Sequence, residues 1–120
     1  MKTPKTLDEA VEILYNEFAA EKDFYDEVRE GKSDIVSLHH TTGSWIRNNW
    51  GLWAGSELRD SFFEMGLFHA DDMSGIILGK VQARIRQDEF NLESEIKRYQ
   101  NYWKEKGIDI QEEIQRLKEL

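Results

Sequence analysis

The chain contains no cysteine, which excludes a disulfide scaffold, a thiolate zinc site and a cysteine nucleophile. Proline occurs once, at Pro4. So little proline favours helices and counts against a turn-rich β sandwich. No apolar run approaches the roughly 18 residues that a membrane span needs, so no membrane partner is expected. The opening MKTPKTLDEAVEIL lacks both the continuous apolar stretch and the small-residue cleavage site of a secretory signal, and the expected location is cytoplasmic. Strand-like alternation, internal repeats and low-complexity segments are missing as well.

What is present is a polar but aromatic chain of 120 residues, 39% hydrophobic, 33% charged and 12% aromatic. That length supports one domain, residues 1–120, and the aromatic content argues against disorder. Sixteen basic residues face 24 acidic ones, for a net charge of −8. This sign argues against non-specific nucleic-acid binding. The excess is concentrated in residues 1–30, with four basic and nine acidic side chains. A solvated face explains it; the sharper alternative is a nucleic-acid mimic displaying Glu9, Glu12, Asp23, Asp26, Glu27 and Glu30.

Helical stripes account for most apolar positions. Thr6 and Glu9 form a capping-box pattern ahead of Leu7, Ala10, Val11, Leu14, Tyr15 and Phe18. The stripe continues, with a break, through Phe24, Tyr25 and Val28 to Gly31. Ser33 and Asp34 open a stretch expected to stay helical to about Asn49, with Trp45, Ile46 and Trp50 sharing a face, until Gly51 stops it. Ser56 caps a short helix carrying Leu58, Phe62, Phe63 and Met65, ended by Gly66. Met73, Ile76, Ile77, Val81 and Ile85 give the cleanest amphipathic pattern and predict the central helix, starting at Ala70 or Asp71. Asn91 caps Leu92, Ile96, Tyr99 and Trp103; Asp109 caps Ile110, Ile114 and Leu117. These last two faces are sparse, and suit a hairpin or contact with a second copy. The expectation is an all-α single compact domain of five to seven helices with short glycine-containing loops.

Six of the eight glycines fall between residues 43 and 79, beside Trp45, Trp50 and Trp53. Such a window is either a glycine-jointed corner of the core or a pocket. As a pocket, Trp50 or Trp53 would stack, Arg47 would take a carboxylate or phosphate, and Asn48 or Asn49 would read a polar edge. His39 or His40 would serve as general base in a catalytic version, with Asp71 or Asp72 orienting it. His69, Asp71 and Asp72 are weak candidates for metal ligands, because their spacing matches no metal signature and suits a helix start. Gly75 and Gly79 predict close packing; SGIILGK is not a phosphate loop, since the glycine spacing is wrong and Val81 stands where Ser or Thr should be. No cofactor is implied.

The stretch from Leu38 to Leu78, with WIRNNWGLW at 45–53 and FHADDMSGIIL at 68–78, resembles a family of small bacterial domains of unknown function. In that pattern a proline stands between the histidine and the first aspartate, where this chain has Ala70. The resemblance implies a small bacterial or phage-encoded protein and assigns no activity. The leading expectation is a non-enzymatic domain that binds a protein partner or itself as a homodimer. The alternative is a small-molecule or hydrolase-like site around Arg47, Asn48, Asn49, Trp50, Trp53, His39 and His69 with Asp71 and Asp72.

Overall fold

A computed structural model describes residues 3–120. Thr6 is extended and its hydroxyl accepts the Glu9 N–H at 3.2 Å, opening α1 over Leu7–Ala19. The Glu9 carboxylate returns to the Lys5 N–H at 2.6 Å. Leu7, Ala10, Val11 and Leu14 bury the predicted stripe. At Glu21 the backbone leaves helical geometry (φ −99°, ψ 77°), so the continuation is a separate helix, α2, over Lys22–Arg29.

The stretch expected as one helix from Ser33 to Asn49 is two pieces. Val36–His40 is a 3₁₀ turn, Thr41 breaks the chain at φ −104° and ψ −84°, and α3 follows over Thr42–Asn49. The break sits at Thr41, Thr42 and Gly43, all weak helix formers. Side chains anchor both ends of the 3₁₀ turn: Gln82 Oε1 accepts the Ile35 and Val36 N–H groups at 2.7 and 3.3 Å at its start, and Arg47 Nη2 donates to the His39 carbonyl at 3.3 Å beside the break. Ile46 and Trp50 are buried, but Trp45 is 44% exposed and meets the Trp50 ring edge-on at 5.7 Å, so the three do not share a buried face.

Ser56 accepts the Arg59 N–H at 3.1 Å and caps α4, Glu57–Glu64. The turn before it requires Gly51: φ is +70°, and a Cβ there would lie 2.7 Å from the Gly55 carbonyl oxygen. The central helix, α5, runs over Ala70–Arg86 and packs against α1, α2, α3, α4 and the 3₁₀ turn. Met73, Ile76, Ile77, Val81 and Ile85 are all buried, as their spacing predicts. Asn91 and Asp109 accept the Ser94 and Glu112 N–H groups at 2.9 and 3.1 Å, starting α6 (Leu92–Glu105) and α7 (Ile110–Lys118). These two helices pack on each other. Helix α6 buries no residue completely, whereas α7 buries Ile110 and Ile114. The described residues therefore form seven α-helices and one 3₁₀ turn with α5 at the centre, an all-α fold.

Candidate functional site

The start of α5 and one face of α6 enclose a cleft of about 440 Å³, lined by His69, Asp71, Asp72, Arg98, Tyr99, Tyr102 and Trp103. Its back wall is a helix start. His69 is the N-cap, and its Nδ1 accepts the Asp71 N–H at 3.1 Å. In the neutral ring the proton therefore sits on Nε2. The imidazole stacks on Trp103 with centroids 5.3 Å apart and 16° between planes, while Trp53 meets it edge-on at 5.6 Å. Trp103 also touches Phe68 and Tyr102, each with ring centroids 5.0 Å apart.

The two aspartates differ in role. Asp71 forms an ion pair with Arg47, its carboxylate 3.2 Å from Nε, yet 44% of its side chain remains exposed. Asp72 is buried and accepts the Trp103 indole N–H at 2.8 Å. Burial pushes the Asp72 carboxyl above the usual carboxylate range; the Trp103 hydrogen bond and the neighbouring His69 offset only part of this. Arg98 is occupied, forked on Glu95 at 2.7 and 3.2 Å, with its guanidinium 4.4 Å from the Tyr99 ring centre. The cleft thus joins two carboxylates to aromatic walls. Tyr99 reaches its place because Gly75 has no side chain: a Cβ there would stand 2.7 Å from the Tyr99 hydroxyl. At Gly79 the neighbour is the Phe90 ring, so the small-residue patch receives aromatic rings rather than a second helix backbone.

The residues singled out from the sequence divide sharply. His69, Asp71 and Asp72 come together in the cleft, and Trp53 reaches its edge through His69. Trp50 is core. Asn48 and Asn49 are exposed, with the Asn49 amide donating to the Trp45 carbonyl of its own helix at 2.9 Å. Arg47 is only 8% exposed; it is ion-paired with Asp71 and donates to the His39 carbonyl and, at 2.8 Å, to the buried Ser74 hydroxyl. Its fork is filled by the chain itself. His39 meets His40 edge-on at 5.1 Å on the 3₁₀ turn and does not line the cleft. Of the α6 residues in the cleft, Tyr99 and Trp103 belong to the sparse helical face read from the sequence, whereas Arg98 and Tyr102 do not; the aromatic end of that face is the available signal.

Among the described residues no three His, Asp or Glu side chains are placed to hold a metal ion. No helix there is long and apolar enough to cross a membrane. The acidic residues named for nucleic-acid mimicry are largely engaged. Glu9 holds the Lys5 N–H, Glu12 pairs with Arg84, Asp26 with Lys22 and Arg29, Glu27 with Ser33, and Glu30 with Lys32.

No curated protein and no solved structure matches the chain. A family model does, over residues 3–85, which ends one residue before the end of α5 and stops short of α6 and α7. The chain belongs to the family described as Domain of unknown function (DUF6794).

Proposed function

We propose that the chain is a non-enzymatic interaction domain that captures a basic side chain of a protein partner in the cleft between the start of α5 and α6. One observation carries this reading: Asp71 and Asp72 stand in the same cleft as Tyr99, Tyr102 and Trp103. A cation there meets the two carboxylates between aromatic walls, and partial desolvation strengthens that attraction, while the Tyr99 and Tyr102 ring faces already carry Arg98 and Lys106. The net charge of −8 steers a basic segment toward the domain. The groups a catalytic reading needs are otherwise employed. His69 Nδ1 caps a helix, and the Ser74 hydroxyl donates to the Asp71 carbonyl while accepting from Arg47.

The test titrates a short arginine-containing peptide, and its neutral citrulline counterpart, into the full chain while following tryptophan fluorescence and calorimetric heat. The arginine peptide binds, binding weakens as salt rises, and the Asp71→Asn/Asp72→Asn double variant loses at least about tenfold in affinity, about 1.4 kcal/mol. Equal binding of the citrulline peptide, or an undiminished affinity in the folded double variant, overturns the reading.

A further inference from the structure

A second cavity, about 230 Å³, lies between the Leu52–Trp53 turn, α4 and α7, and shares His69 with the cleft. Its walls are Leu52, Trp53, Phe68 and Leu117, and its polar groups are Arg59, Arg116, Glu113 and His69. Glu113 is held by Arg116 at 2.8 Å, so that pair is internally neutral. Arg59 is not neutralised. Its Nη1 donates to the Trp53 carbonyl at 3.3 Å, and its Nε–H is buried without an acceptor among the described residues. The guanidinium is nevertheless fixed in place. It lies 4.8 Å from the Phe63 ring centre, and Gly55 leaves room beside it, since a Cβ there would come within 3.2 Å of Nη2.

A buried donor with no partner is destabilising, more so on a charged group. In a chain of net charge −8 this cavity has an excess of positive charge. The buried Nε–H is out of a ligand's reach, but the two terminal nitrogens of a planar guanidinium match a carboxylate fork, and aromatic and aliphatic walls match an apolar body. We infer that this cavity is a binding site for a small carboxylate bearing an apolar or aromatic group, with Arg59 as its anchor. The site is independent of the cleft reading. Its anchor is a different residue and its ligand has the opposite charge.

The experiment titrates benzoate, with benzamide as the neutral isostere and inorganic phosphate as the alternative anion, into the isotopically labelled full chain. The side-chain Nε–H resonance of Arg59 and the Trp53 indole resonance report binding. Benzoate shifts both resonances saturably in the millimolar range, benzamide and phosphate do so at least tenfold more weakly, and Arg59→Gln abolishes the benzoate response. Arg59→Lys retains the charge but not the fork, and weakens benzoate at least about fivefold. Silent Arg59 and Trp53 resonances, benzamide as good as benzoate, or phosphate preferred to benzoate each overturn the assignment. The wild-type titration decides the matter even where a variant fails to fold.

Discussion

Arg47 is the residue whose role depends most on its surroundings. A guanidinium in a glycine- and tryptophan-rich window is an attractive anion clamp on paper. In the fold its three nitrogens are spent on Asp71, Ser74 and the His39 carbonyl, at 3.2, 2.8 and 3.3 Å. It ties the 3₁₀ turn and α3 to α5 across the break at Thr41. Arg47→Ala leaves the buried Ser74 hydroxyl and the turn without their donor, and costs about 3 kcal/mol in a urea unfolding measurement. Arg47→Lys supplies one charge but no fork, and recovers only part of the loss. A variant that unfolds at the parental urea midpoint would refute the clamp. Gly51 makes a comparable point through the backbone. Gly51→Ala combines a left-handed φ of +70° with a Cβ 2.7 Å from a fixed carbonyl, so it costs about 2 kcal/mol or more by the same measurement.

At the scale of helices, stability is unevenly shared. Helix α5 buries nine residues and touches most of the molecule, whereas α6 buries none completely and rests on half-buried Leu92, Ile96, Tyr99 and Trp103. Local opening is cheapest where few apolar contacts must be broken. Amide exchange followed by mass spectrometry therefore finds α5 slowest and α6 faster by at least about tenfold. Equal protection of the two would contradict this ranking. The same contrast explains what the sequence made legible. Dense stripes such as Met73–Ile85 and local caps such as Ser56, Asn91 and Asp109 depend on neighbours within a few residues, and they appear as expected. The break at Thr41 falls on weak helix formers, but the apolar pattern runs on through it to Ile46 and Trp50, and the contact beside it, from Arg47 to the His39 carbonyl, exists only in the folded chain. The cleft was half legible: His69, Asp71 and Asp72 are adjacent in sequence, but Trp103 reaches them from 31 positions beyond Asp72. Arg59 carries no signal in the sequence because its unusual feature, an unpartnered N–H, exists only once the chain is folded.

Over the whole molecule, charge and burial combine into a stability profile with a maximum on the acid side of neutrality. Burial raises the Asp72 carboxyl above the usual carboxylate range, so folding favours its neutral form. Its contribution is gained as pH falls through the folded value and lost as pH rises through it. Protonation also relieves the repulsion inherent in a net charge of −8. Glu12 and Asp26 act with the opposite sign. Hydrogen bonds from Arg84 and Lys22 hold them below the usual range, so their small surface contributions persist above it and disappear as pH falls through their folded values. The urea midpoint accordingly rises from pH 7 to about pH 5 and declines below about pH 4. Asp72→Asn keeps an oxygen to accept the Trp103 N–H while removing the charge, and it separates the local effect from the global one. The variant is more stable than the parent at pH 7, and its midpoint climbs less on acidification because only the general repulsion remains to be relieved. Superimposable profiles for parent and variant would show that Asp72 titrates no differently in the folded and unfolded chains, and that the acid-side rise belongs to net charge alone.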